Sequence, residues 1–225
     1  MYIDKPGSKE KRPLGIPTVR DRVVQAALRL VIEPIFEREF TSRSYGFRPG
    51  LGCKDALREV DQYLKAGYGH VVDADLKAYF DTIPHEQLME DVKTRIADGR
   101  VLELIGMFLK QQVLEDMSLW TPEQGTPQGA VISPLPANLY LHSVDLAMNR
   151  AGYVMVRYAD DFVVLCRTSS EAEQAHDLVQ SLTEVKGLTL HPVKTRLATG
   201  EPDAGEPPVR FGGRGGAINV PFLPL

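Results

Sequence analysis

Val154-Met155-Val156-Arg157-Tyr158-Ala159-Asp160-Asp161-Phe162-Val163-Val164-Leu165-Cys166 decides how the rest of the chain is read. Apolar and β-branched residues flank a four-residue tip on both sides, which is the pattern of a hairpin. Two adjacent acids sit where the chain reverses. Strands hold such a tip more rigidly than a loop would, and rigid elements place reacting groups well.

Acids in a solvated turn carry no function of themselves. A second acidic strand, His70-Val71-Val72-Asp73-Ala74-Asp75-Leu76, changes the reading. With a period of two, Val72, Ala74 and Leu76 face one side, and Val71, Asp73 and Asp75 the other. Asp is depleted in strands, so two on one face need a reason. A strand ending in a carboxylate, beside a hairpin that bears two more, offers hard oxygen donors. Mg²⁺ suits that set, since it keeps waters and shares its coordination with substrate phosphates. Ion pairing of the acids with Lys77 or Arg157 is the alternative.

The bulk properties set wide bounds. The chain of 225 residues has one or two domains' worth of core, with 43% hydrophobic and 25% charged residues. Cys53 and Cys166 lack metal spacing and read as reduced thiols of a cytosolic protein. No apolar run reaches the roughly 20 residues that span a bilayer, and the start lacks a signal-peptide pattern. The expected compartment is the cytoplasm, with no membrane partner. Net charge is −4, yet residues 1–50 hold ten Lys/Arg against six Asp/Glu and carry +4, leaving −8 for the remainder. A basic front and an acidic back suit a protein that holds phosphates with one part and cations with another.

Outward from the acids, Lys5-Pro6-Gly7 predicts a turn between two short strands. Thr18 caps a helix through Asp21 to about Glu33, with Val24, Ala27, Leu28 and Val31 on one face. Pro34 ends or kinks it, and Ile35, Phe36 and Phe40 pack back. Residues 44–50, Ser-Tyr-Gly-Phe-Arg-Pro-Gly, alternate aromatics with Arg48, a combination that stacks on bases and holds phosphates. Helices are expected over 54–65, 84–97 and 100–111. Gly125-Thr126-Pro127-Gln128-Gly129-Ala130 forms a loop whose glycines permit close backbone approach to a ligand. Ser170-Glu171-Ala172-Glu173 reads as a capping box for a helix burying Ala175, Leu178, Val179, Leu182 and Val185. Residues 188–191 read as a short strand, with Lys194 just beyond. The order strand, helix, turn, hairpin, capped helix, strand is an α+β ferredoxin-like pattern. The last 25 residues form a Gly/Pro-rich tail.

Five blocks together resemble a family. Arg12-Pro13-Leu14-Gly15-Ile16-Pro17-Thr18 with Asp21-Arg22-Val23-Val24-Gln25, then 44–50, 73–81, Gly125 to Gly129 with Ser133-Pro134-Leu135, and Tyr158 to Asp161 follow the order and spacing of a reverse transcriptase. The chain is similar to the bacterial group II intron-encoded reverse transcriptases and maturases over about residues 3–200. The resemblance implies a right-hand polymerase fold: partial fingers over 1–68, a ferredoxin-like palm over 69–200 and a tail over 201–225, with no thumb.

The resemblance also implies roles. Asp75, Asp160 and Asp161 match the catalytic carboxylates. With the Leu76 carbonyl they would hold two Mg²⁺ ions, Mn²⁺ substituting, typically about 3.5–4 Å apart. Phe80 matches the aromatic gate that excludes a ribose 2′-hydroxyl. Lys5 and Arg12 match basic residues on the triphosphate, Gln128 a nucleotide contact, and Lys194 a lysine that protonates pyrophosphate. Arg48 is the nucleic-acid contact that the composition of 44–50 suggests. The implied partners are an RNA template, a DNA or RNA primer, dNTPs and intron RNA. Three departures stand out. The chain starts inside the first fingers block, Pro136 replaces a usual Leu, and Val209-Arg210-Phe211-Gly212-Gly213 with a Pro-ended tail stands where a primer grip and thumb follow. Weak, distributive RNA-directed DNA synthesis is therefore one expectation. A catalytically weak or inactive RNA-binding, maturase-like remnant is the other, and a nucleotide cyclase, with no need of the basic block or Gln128, is disfavoured.

Overall fold

The computed structural model describes residues 2–4, 11–115 and 117–199, with side chains for 14–114 and 117–199. The Lys5-Pro6-Gly7 turn, the side chain of Arg12 and the tail beyond Thr199 lie outside the described residues. The strands flanking that turn, β1 (Tyr2–Asp4) and β2 (Lys11–Pro13), pair antiparallel.

The centre of the fold is a four-stranded antiparallel sheet. It contains β3 (His70–Asp75), β6 (Val154–Tyr158), β7 (Asp161–Cys166) and β8 (Arg196–Thr199), in the order β6-β7-β3-β8. Between β3 and β6 run α3 (Tyr79–Thr82), α4 (His85–Lys93), α5 (Gly99–Leu109), the hairpin β4 (Val113–Glu115) with β5 (Ser118–Trp120), and α6 (Pro134–Arg150). Helix α7 (Ser169–Val185) links β7 to β8. This is the βαββαβ arrangement that the order of elements predicts.

Strand alternation explains the two layers. Val72, Ala74, Phe162, Val164 and Cys166 face the main core with Leu139, Tyr140, Ala175 and Val179. On the opposite face, Val71, Val154, Val156, Val163 and Leu165 pack against Ala56 and Val60 of α2 (Cys53–Lys65). A strand buried on both faces cannot show a clean polar alternation, which is why β7 reads as a continuous apolar run. Cys166 is buried there and its thiol is pushed up to about 12 by burial, then by Glu171. Neither Cys53 nor Cys166 is in a disulfide.

Several elements differ from their sequence expectation. Helix α1 (Val19–Glu37) carries Thr18 as its cap but runs through Pro34 to Glu37 instead of ending there. Its buried residues are Gln25, Leu28, Ile32 and Phe36, while Val31 and Ile35 are exposed and Val24 borders on exposure. The helix is apolar on two sides, so periodicity could not choose between them. The chosen side lets the buried Gln25 Oε1 accept from the Val131 N–H at 2.8 Å. Pro136 does not disturb α6, because it lies in the first turn, where backbone N–H groups lack intrahelical partners anyway. The helix expected over 84–97 ends at Lys93, with Ile96 buried beyond it.

The cap of α7 is Thr168, whose hydroxyl accepts from the Glu171 N–H at 3.2 Å, and Glu171 reaches back to the Arg167 N–H at 2.8 Å. It therefore starts two residues before the Ser170 box, and Val185 is exposed. The strand expected over 188–191 is reduced to one bridge, Leu190 with Leu76, and the fourth strand is β8.

Candidate active site

The register of the sheet brings the acids together. Asp75 ends β3 and Asp161 begins β7, and they are direct cross-strand partners. Residues opposite one another in an antiparallel ladder point to the same face, about 5 Å apart at Cα. Asp160 sits one residue earlier in the turn of the β6–β7 hairpin, where Tyr158 pairs with Asp161. Only two residues, Ala159 and Asp160, make the loop. Ala159 has φ +60°, the left-handed value that a tight hairpin turn demands of its first loop residue.

The same face of the sheet is covered by α2 at the Val71 and Leu165 end. Cys53, the first residue of α2, has its thiol raised by burial and then by the Asp161 charge, so the helix start lies near that carboxylate.

Lys194 completes the cluster. Residues 189–191 run along the end of β3, with the Lys77 N–H donating to Thr189 O at 2.9 Å and the His191 N–H to Asp75 O at 2.7 Å. Residues 196–199 continue along the same edge, opposite His70 to Asp73. Pro192 and the turn after it interrupt the edge, and the Lys194 ammonium swings over the Asp75 carboxylate, to which it donates. The hydrogen bond to Asp75, and behind it the charges of Asp75, Asp161 and Asp160, raise the lysine above its usual range against the opposing effect of burial. Asp73 pairs instead with Arg196 at 3.3 Å. Of the alternative partners read from sequence, Arg157 gives its hydrogen bonds to other groups, while the Asp160 charge acts on it.

Among the described residues no three carboxylate, imidazole or thiolate groups are drawn together tightly enough to hold an ion as they stand. The donor set nonetheless fits a hard dication. It is all oxygen, it carries three formal negative charges, and an ammonium already sits among them as their cation.

The remaining expected residues fall into three groups. Phe80 is half-buried beside the acids' strand, edge-on to Tyr79 at 5.5 Å and to Phe47 at 6.1 Å. Gln128 donates from Nε2 to both Asp81 oxygens at 2.9 and 3.1 Å, and its carbonyl accepts from the Gly15 N–H at 2.8 Å. The glycines of its loop allow close approach to the protein's own backbone. A Cβ on Gly129 would lie 2.3 Å from Gly15 O, and one on Gly125 2.8 Å from Phe80 O. Arg48 is held by Glu37 and by carbonyls of the segment just before it. Its side chain is 8% exposed and spends its donors on Glu37 at 2.7 Å and on the Thr41 and Ser44 carbonyls. That placement makes it a clamp on its own loop.

Sequence reasoning missed what lies behind the acidic turn. Arg157 is buried and its guanidinium binds Asp145 and Asn138 of α6, Ser44, and the Ala159 carbonyl. Burial alone would lower its pKa, but the Asp145 carboxylate raises it, with smaller contributions from Tyr79 and Asp160. Residues 43–45 lie along the free edge of β6, through the Arg157 N–H to Arg43 O at 2.9 Å and the Tyr45 N–H to Arg157 O at 2.8 Å. Gly46 then fits against the turn so closely that a Cβ would lie 2.1 Å from the Ala159 nitrogen. Gly46→Ala is expected to cost about 1–3 kcal/mol by overpacking, read as a lower urea midpoint with an unchanged m value. The legible signal was a charge inside an apolar strand and another, Asp145, inside an apolar helix.

An antiparallel sheet of this topology, with acids on two neighbouring strand ends, defines a polymerase-type fold. The solved apo telomerase from Candida tropicalis shares it, with a TM-score of 0.63 at 14% identity over 79% of this chain and 37% of that one. The family model "Reverse transcriptase (RNA-dependent DNA polymerase)" matches residues 3–214, and the chain belongs to that family. The group II intron-encoded protein LtrA of Lactococcus lactis subsp. cremoris is 42% identical over 145 residues, covering 64% of this chain and 24% of that protein. Protein YkfC of Escherichia coli (strain K12) is 41% identical over 149 residues, covering 64% of this chain and 39% of its own length. The chain thus aligns with roughly a quarter to two fifths of these relatives. No helix of the described residues is long and apolar enough to cross a membrane.

Proposed function

We propose that the chain is the fingers and palm of an RNA-directed DNA polymerase of group II intron type, residues 1–68 and 69–200 respectively. It joins a dNTP to a primer 3′-hydroxyl opposite an RNA template. The observation that carries this reading is the cross-strand pairing of Asp75 with Asp161, one residue from Asp160, at the ends of the two central strands of the sheet. In this reading Asp75, Asp160, Asp161 and the Leu76 carbonyl hold two Mg²⁺ ions, or Mn²⁺ in their place. When bound, the ions acidify the primer hydroxyl and neutralise charge on the triphosphate and leaving pyrophosphate.

The chain's own residues do the rest. Lys194 neutralises Asp75, and its ammonium holds the proton that pyrophosphate would take up. Phe80, braced by Phe47 and Tyr79, fills the space of a ribose 2′-hydroxyl. Gln128, tethered to Asp81 and Gly15, contacts the nucleotide from its loop. Lys5 and Arg12 hold the triphosphate electrostatically. Template, primer and intron RNA are the nucleic-acid partners.

Primer extension on an RNA template with Mg²⁺ tests the reading. dNTPs should be incorporated and NTPs refused, and Phe80→Ala should admit NTPs. No incorporation by the unmutated chain, with retained RNA binding in a gel shift, would replace the polymerase reading by that of an RNA-binding, maturase-like module.

A further inference from the structure

Every one of the five N–H donors of Arg157 is used in a side chain that is 1% exposed. Nε donates to Asp145 Oδ1 at 2.8 Å and Nη2 to Asp145 Oδ2 at 2.5 Å and Ser44 Oγ at 2.8 Å. Nη1 donates to Asn138 Oδ1 at 3.0 Å and to the Ala159 carbonyl at 2.8 Å. Asn138 in turn donates from Nδ2 to Gly46 O at 2.6 Å. The turn carrying Asp160 is thus gripped at its first carbonyl by the guanidinium and blocked at its first nitrogen by Gly46.

Ala159 needs that grip. Its φ of +60° is unfavourable for a residue with a Cβ, and such a conformation persists only where the surroundings over-determine it. A buried ion pair supplies little net stability over an apolar filling of the same volume. What this one supplies is direction, because a planar fork with five fixed donors locks four partners at once.

We propose that Arg157, backed by Asp145, is the positioning residue of the acidic turn, and that it aims Asp160 and Asp161 at Asp75 through the Ala159 carbonyl. The proposal rests on the polymerase reading for its consequence, but its geometric half does not. A displacement of roughly 1 Å at a reacting group costs about 100-fold in rate.

Arg157→Lys is the test. It keeps a cation opposite Asp145 but cannot reach Ala159, Asn138 and Ser44 together. Two readouts are taken: the backbone amide resonances of 159–161 by NMR, and kcat and KM for dTTP on a poly(A) template with an oligo(dT) primer. The Lys variant should keep the β3 and β7 amide signals of the folded sheet and shift or broaden those of the turn. Its kcat should fall about 100-fold with KM for dTTP within about twofold.

Turn signals identical to the unmutated chain, or a kcat that does not fall, would overturn the proposal. If Arg157→Lys does not fold, the paired variant Arg157→Met with Asp145→Leu removes both charges at similar volume and is read in the same two ways. Failure of both variants to fold would assign the pair to holding the chain together and also overturn the proposal. Shifted turn signals in a chain whose unmutated form incorporates nothing would uphold the positioning of the turn and sink the polymerase reading instead.

Discussion

Asp161→Asn is expected to lower nucleotide incorporation by about 10³-fold while leaving the thermal midpoint unchanged or slightly higher. The two effects have one cause. Asp75 and Asp161 face each other across the ladder, and like charges directly opposite destabilise a sheet by a fraction of a kcal/mol. Lys194 offsets part of this mainly through its hydrogen bond to Asp75, which survives the substitution, and less through the Asp161 charge, which does not. Removing one acid therefore relieves repulsion in the resting protein. In the proposed reaction the same acid is needed, since two dications a few ångströms apart repel strongly unless anionic oxygens lie between them. Single-turnover incorporation and calorimetry measure the two halves. An undiminished rate would remove Asp161 from the chemistry, and a midpoint lowered by many degrees would make it a structural residue.

Arg157→Ala is expected to destabilise the chain by about 3–5 kcal/mol, because it leaves the Asp145 carboxylate buried without its partner. For a chain of this size that is a fall of about 10 °C in midpoint. Ser44→Ala, which removes one neutral donor–acceptor contact from the same guanidinium, should cost only about 1 kcal/mol. The contrast separates the desolvated charge from the hydrogen bonds around it. Urea unfolding of both variants checks it, and a loss near 1 kcal/mol for Arg157→Ala would mean that water reaches Asp145.

The elements read correctly from sequence were those whose pattern is local. The β6–β7 hairpin announces itself by two apolar runs around a short tip, and β3 by alternation with Asp73 and Asp75 on one face. The start of α1 at Thr18 follows from one hydroxyl and one N–H three residues on. The errors came where two local solutions had similar merit. Helix α1 offers apolar residues on two sides, and the buried Gln25 decides which one faces inward. Thr168 and Ser170 can each cap α7, and Thr168 wins because Glu171 at the third position closes the box with the Arg167 N–H. Arg48 is a separate case: the composition of its loop suggested a phosphate ligand but gave no sign of the bonds it makes to Glu37 and two carbonyls.

By itself, the sequence determined that β3, β6 and β7 form, where the acids stand along them, and to which family the blocks are similar. It could do so because side-chain alternation, caps and turns depend on neighbours only a few residues away. Only the tertiary structure decided that β8 closes the sheet beside β3, that Lys194 is thrown over Asp75, and that Arg157 reaches back through α6 and Ser44 to grip the turn. Those contacts join residues as far apart in sequence as His70 and Thr199, and no local pattern encodes a meeting that exists only once the chain is packed.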